Sequence, residues 1–292
     1  MLVSPRPGVR WLPARVADWE AWQLELLEQA GERLGAELSR TGRVYRWSAT
    51  GSPAFFEGVR VWLRVSAFLE NTMDAEAWRG TAEAGTLKGI CKPALLARTE
   101  WTTNGPTPVP VSGELLTFVS DPVASRSRFL QEPPTLAASW MGDLRSSLDA
   151  LSEAATERRF RVHDAEQYGY LLNATYGCSH PVGIAPEFGT EHIDLTWGNI
   201  SAPNLTIIDW EHWGVAVRGY GIGYLYLTSL AVPSIARRIH ETFADLLDSP
   251  TGRYAQLVAA AVIIRNLTHL PDDAALAPLL HRHTDRLLAQ RS

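Results

Sequence analysis

The sequence is almost without lysine: of its 27 basic residues only Lys88 and Lys92 are lysines, and the other 25 are arginine. Chemistry that needs a lysine therefore has two positions to draw on. Neither follows a glycine or precedes Ser or Thr, which excludes a GxxxxGK[ST] phosphate loop. Cysteine is equally scarce. Cys91 and Cys178 lie far apart with no CxxC pair, so neither a disulfide framework nor a thiolate zinc site is indicated. Long apolar runs are missing as well. The longest, Leu257 to Ile264, falls far short of the roughly 20 residues that a membrane span needs. The opening MLVSPRPGVRW lacks the apolar core of a secretory leader, so a cytoplasmic protein without a membrane partner is expected. A basic excess is absent too. Residues 1–119 carry 13 acids and 13 bases and residues 120–292 carry 19 acids and 14 arginines, giving a net charge of −5 and no argument for nucleic acid.

What is present is an ordinary globular composition, 292 residues with 46% hydrophobic, enough for about two domains at roughly 150 residues each. Val16 to Leu38 places Trp19, Trp22, Leu26, Leu27, Ala30, Leu34 and Leu38 at helical steps. The texture then turns to β. Arg43–Thr50 and Gly58–Phe68 read as strands joined by the turn Gly51-Ser52-Pro53, with Trp62, Arg64 and Ser66 on one face of the second strand. Asp74 is placed to cap a helix reaching about Lys88, and a Thr/Pro/Gly loop leads to an apolar stretch at Leu115–Val119. Beyond the linker-like SDPVASRSR the pattern is helical: 135–155, 167–174, 222–230, 235–247, 254–267 and 272–288. One β-like island, 200–209 with a turn at Ala202-Pro203-Asn204, interrupts it. The expectation is an α+β fold: a small β-rich lobe over residues 1–119 and a larger helical lobe over 120–292.

The island carries the chemistry. EHIDLTWGNISAPNLTIIDWEHWG sets His192, Asp194 and Asn199 in an H-x-D-x-x-x-x-N pattern, and an apolar run then delivers Asp209. Protein kinases use this spacing in the catalytic loop, followed by the Asp of D-F-G. Asp194 on a loop is suited to accept or orient a hydroxyl proton. Asn199 offers a neutral oxygen and Asp209 an anionic one, the hard donors that Mg²⁺ prefers beside phosphates.

HIDLTWGNI followed by IIDWEHWG resembles the aminoglycoside phosphotransferase and choline kinase-like branch of the protein-kinase-like fold, whose usual pattern is HGDLHPGN and then IDW or IDF. It is more similar still to actinobacterial phosphotransferase-like proteins with a DLHWANLTAP…LDWEGWG signature. The resemblance implies a two-lobed fold and ATP with Mg²⁺ as cofactors. It implies Asp194 as the catalytic Asp, with His192 a structural member of the same catalytic loop, and Asn199 and Asp209 as the metal ligands. The acceptor it implies is a hydroxyl of a small molecule, such as an antibiotic, amino sugar or amino alcohol. Two alternatives stand beside it: a Ser/Thr kinase of a biosynthetic peptide working with a lyase, and a pseudokinase-like binding protein.

The chain departs from the family at four points. The strand VRVWLRVS offers Arg64 where a kinase has its ATP-binding lysine, with Glu76 or Glu83 as the expected ion-pair partner. Ile193 stands for the Gly of HGD. Gly221 stands where a carboxylate braces the catalytic loop. Gly51 is the one glycine matching the nucleotide-covering turn. Trp197 and Trp210 are close enough to the motif to border an acceptor pocket, and the nucleotide base is expected near a hinge at Glu114–Val119.

Overall fold

The computed structural model describes residues 16–45, 49–68, 74–104, 108–179, 183, 185–267 and 275–290. They fall into two compact units: one runs to Gly85 and resumes over Pro93–Ser120, and the other joins Thr86–Lys92 to the chain from Asp121 onward.

The first unit is built on an antiparallel sheet with strands β1 (Glu37–Leu38), β2 (Val44–Tyr45), β3 (Ala49–Phe56), β4 (Val59–Ala67), β5 (Leu95–Thr102) and β6 (Pro110–Thr117). Their order is β1-β3-β4-β6-β5, with β2 also pairing β3. Helix α1 (Val16–Leu34) lays its apolar stripe on one face, where Leu26, Leu27 and Ala30 bury Leu63, Val65, Val111 and Leu115. The period of two in β4 does the sorting: Val61, Leu63 and Val65 enter this core, and Trp62 and Arg64 go to the opposite face. Helix α2 (Ala75–Ala84) starts as expected at Asp74, whose carboxylate accepts from the N–H groups of Glu76 and Ala77. It stops at Ala84 rather than Lys88.

The hairpin differs from its expected register. The turn lies at Glu57-Gly58, both with positive φ (50° and 77°), the geometry of a two-residue type I′ connection. Gly51 and Pro53 lie inside β3. Gly51 is there because the Trp62 indole of the neighbouring strand rests on it: a β-carbon would come within 2.4 Å of the ring. Glu114 is likewise no hinge residue but a buried position in the middle of β6.

The second unit contains α3 (Trp140–Ser152), α4 (Ala165–Tyr176), α5 (Tyr220–Leu227), α6 (Pro233–Leu247), α7 (Pro250–Leu267) and α8 (Ala277–Ala289). The expected start of the last helix, Asp272, lies outside the described residues. Helix α7 is buried from Tyr254 to Ala261 on every side, as a central helix must be when it is apolar all round. Among the described residues no helix is long and apolar enough to cross a membrane. The β element is not the 200–209 island itself. Strands β7 (Phe188–His192) and β8 (Trp213–Val217) flank the island and pair antiparallel, His192 opposite Trp213, while the island contributes only isolated bridges, Ile200 to Ile207 within itself and Ser201 to Val123.

Candidate active site

The β7–β8 pair forms the base of a loop that presents the chemistry. The chain leaves β7 at His192, and the Ile193 N–H donates to the His212 carbonyl at 2.9 Å, closing the loop. Ile193 is buried and its φ is not positive, so the position tolerates a branched side chain where the family has glycine. A short 3₁₀ turn, Trp197–Asn199, then returns Asn199 to Asp194. The Asn199 amide donates to both the Asp194 carbonyl and its Oδ2, each at 2.9 Å. The Ile208 N–H donates to the Asn199 carbonyl at 2.8 Å, which brings the next residue, Asp209, to the same loop. Asp194, Asn199 and Asp209, three of the predicted residues, are thus gathered by local hydrogen bonds.

Asp209 has a φ of +65°, one of two described non-glycine residues in the left-handed region. That conformation costs on the order of 1–3 kcal/mol, and such strain concentrates at functional sites. Arg158 holds the segment that follows: its buried guanidinium donates to the Glu211 and Trp213 carbonyls at 3.1 and 2.8 Å.

The two tryptophans expected at an acceptor pocket are interior instead. Trp197 stacks on Trp140 at 5.7 Å with the rings 8° apart, and its indole N–H reaches Ser229 Oγ. Trp140 in turn donates to the Ser201 carbonyl at 2.9 Å. Trp210 sits edge-on to His192 at 4.8 Å and donates to the Ile207 carbonyl. Burial of these large rings rigidifies the loop from beneath. His192 is wholly buried, burial lowers its pKa, and both ring nitrogens lie without a hydrogen-bond partner within normal distance. The ring is thus packed inside the loop against Trp210.

At position 221, where the chain has no carboxylate, one arrives from the opposite side of the contact. Glu191, the residue before His192, accepts hydrogen bonds from the N–H groups of Gly219 and Gly221 at 2.7 and 3.1 Å, at the N-terminus of α5. Burial pushes its carboxyl up to about 7, against the lowering effect of these two donors.

Two further features, a strap and the arginine it carries, have no sequence signal. The segment after Asp121 is no loose linker. Ala124 N–H donates to Ile200, Ser125 N–H to Trp197 and Leu130 N–H to Thr228, so the segment is a strap over the loop. From it Arg128 reaches Asp194 Oδ1 at 3.1 Å. In the first unit, Arg64 lies 3.4 Å from both Glu114 Oε2 and Thr81 Oγ1, with Arg98 3.7 Å from the other Glu114 oxygen. Glu76 and Glu83 both engage Arg79.

Among the described residues no three His, Cys, Asp or Glu side chains gather into a metal cage. The loop offers two carboxylates and one amide, with the amide nitrogen of Asn199 turned to Asp194 and its oxygen left as a donor atom. That set of hard oxygens suits Mg²⁺, which keeps waters and phosphate oxygens in its shell and takes few protein ligands.

Neither a family model nor a curated protein matches the sequence. Solved structures do. Aminoglycoside phosphotransferase APH(4)-Ia is similar at a TM-score of 0.60 and 11% identity, over 93% of this chain and 99% of that one. A thermostable mutant of it, in a ternary complex with AMP-PNP and hygromycin B, gives 0.59 and 11% over 91% and 98%. Amicoumacin kinase hAmiN, in complex with AMP-PNP, Ca²⁺ and Ami, gives 0.58 and 10% over 94% and 96%.

The chain has the protein-kinase-like fold of the aminoglycoside phosphotransferases. The resemblance carried by the HxDxxxxN motif and the IIDWE segment is therefore matched by the α+β architecture across nearly the whole chain. At these identities the likeness is one of fold, and the chemistry rests on the loop itself.

Proposed function

We propose that the protein is a phosphotransferase that moves the γ-phosphoryl group of ATP to a hydroxyl of a small organic molecule. One observation carries this reading: the Asp194 carboxylate is held by the Asn199 amide at 2.9 Å while Asp209, in a strained left-handed conformation, is fastened to the same loop. A loop built only for packing has no need of two carboxylates and an amide so arranged.

In this reading Asp194 receives the acceptor hydroxyl by hydrogen bond and takes its proton, and Asn199 keeps the carboxylate aligned. Asn199 and Asp209 would hold Mg²⁺, which when bound with the nucleotide supplies the charge neutralisation that phosphoryl transfer requires. Arg64 provides a permanent charge for the nucleotide phosphates in place of a lysine. The Trp140–Trp197 stack and the Glu191 brace keep the loop rigid, so that catalysis is positioning and electrostatics with little motion of the protein. A small-molecule acceptor is supported by the fold's solved examples, which include a complex with hygromycin B and one with amicoumacin kinase's Ami.

ADP formation with Mg²⁺ and ATP, compared between the wild type, Asp194→Ala and Asp209→Asn, tests the assignment. Both substitutions are expected to reduce the rate by at least about a hundredfold. Equal rates in all three proteins would sink the phosphotransferase reading.

A further inference from the structure

The segment Glu191–Gly214 contains no Lys and no Arg, yet it holds both carboxylates of the site. A phosphoryl group in transfer spreads negative charge over three oxygens, so beside two anionic side chains a side-chain cation adds to the neutralisation that a metal would supply. The structure brings one from outside the motif. Arg128 donates to Asp194 Oδ1 at 3.1 Å while the Asn199 amide occupies Oδ2, so the two oxygens of the carboxylate are engaged from different sides. Asp194 most and Asp209 least favour the charged guanidinium, which also has a hydrogen bond to Tyr224. The side chain remains half exposed. A guanidinium has five N–H donors, and these contacts leave several of them open to an incoming anion.

Arg128 is also held in place by its own segment. Its strap is fixed to the catalytic loop by the Ala124–Ile200 and Ser125–Trp197 backbone bonds of 2.7 and 3.1 Å, and to the end of α5 by the Leu130–Thr228 bond of 3.0 Å. Ser125 Oγ closes the turn internally, accepting from Ser127 N–H and donating to the Phe129 carbonyl. A cation carried on a rigid strap is preorganised, which is the condition for stabilising charge as it develops.

We propose that Arg128 is a catalytic residue of this site, an arginine finger supplied in cis, which contacts the oxygens of the transferring phosphoryl group and keeps Asp194 oriented toward the acceptor. The inference rests on the phosphotransferase reading. In the step it serves, the acceptor oxygen forms the new bond to the γ-phosphorus. The bond from that phosphorus to the β–γ bridging oxygen breaks, and its electron pair leaves on ADP. The acceptor proton passes to the Asp194 carboxylate. Arg128 neither gains nor loses a proton; its charge offsets that of the planar phosphoryl.

The experiment is a titration of ADP and Mg²⁺ with and without aluminium fluoride, whose planar complex with ADP imitates the transferring phosphoryl, and it requires no knowledge of the acceptor. In the wild type, aluminium fluoride is expected to tighten ADP binding at least about tenfold. Arg128→Gln should lose that tightening while binding ADP alone as before, and Arg128→Lys should keep part of it. Thermal unfolding of each variant confirms the fold, and Lys and Gln preserve most of the half-exposed stem. Equal tightening in Arg128→Gln and wild type overturns the assignment, as does its absence in a wild type that binds ADP. A wild type that binds no ADP at all contradicts instead the phosphotransferase reading beneath it.

Discussion

The backbone of Gly221 lies against the carbonyl of His192, so closely that a β-carbon at 221 would stand 2.7 Å from that oxygen. The family's bracing carboxylate therefore has no room at this position, and Glu191 delivers one from the other side of the contact. Gly221→Ala is expected to lose about 1–3 kcal/mol of stability, because the atom it meets is backbone with little freedom to retreat. Gly221→Asp, which writes the family's residue back into the chain, should be worse and not better. Chemical denaturation of the two variants checks this; a stabilised Gly221→Asp would show that the brace is indeed missing.

Glu191 sets a pH dependence with a definite sign. Its folded pKa of about 7 stands above the ordinary 4.5 because burial disfavours the carboxylate. The folded state therefore binds the proton more tightly than the unfolded chain. The stabilisation is complete below about pH 4.5 and is lost as pH rises through 7. Relative to Glu191→Gln, the wild type should lose up to about 3 kcal/mol between pH 5 and 8.5. Parallel stability profiles of the two proteins over that window would contradict the assignment.

Asp209 separates backbone strain from function. Asn and Gly tolerate the left-handed region, so Asp209→Asn and Asp209→Gly should fold with unchanged or slightly higher stability. Asp209→Ala and Asp209→Val should be less stable than Asp209→Gly by about 1 and 2 kcal/mol. All four should lose ADP formation. Denaturation midpoints paired with activity distinguish the two effects.

Arg64 shares a partly closed site with Glu114, Thr81 and Arg98, so its removal touches stability as well as binding. Arg64→Ala is expected to cost about 1–3 kcal/mol and to weaken ATP binding at least about tenfold. Arg64→Lys should recover part of the affinity. Glu114→Gln, which leaves the guanidinium in place, should retain nucleotide binding. Unchanged nucleotide affinity in Arg64→Ala would remove Arg64 from the nucleotide site.

What the sequence made legible follows the range of the interactions. Asp194, Asn199 and Asp209 are five and fifteen residues apart, and their hydrogen bonds are local to one loop, so spacing alone gathered them. The helices were visible through stripes such as Leu144 and Leu151 in α3, although their ends shifted by several residues. Contacts between elements left no such trace. Arg128 meets Asp194 across 66 residues, and Glu191 meets Gly221 across 30. Strands β7 and β8, five residues each and with glycine inside, are too short to show alternation. Gly51 and Pro53 were read as a turn on local chemistry, but Trp62 packs on the first and Ser39 N–H donates to the carbonyl of the second. Tertiary neighbours chose those residues, and no local rule could have told.

The most direct test of the central claim, a metal-dependent nucleotide site on the 194–209 loop, is calorimetric titration of AMP-PNP into wild type and Asp209→Asn, each with Mg²⁺ and with EDTA. The account predicts binding to the wild type that requires Mg²⁺ and weakens at least about tenfold in Asp209→Asn. Binding that is equal in the two proteins and indifferent to EDTA would contradict it.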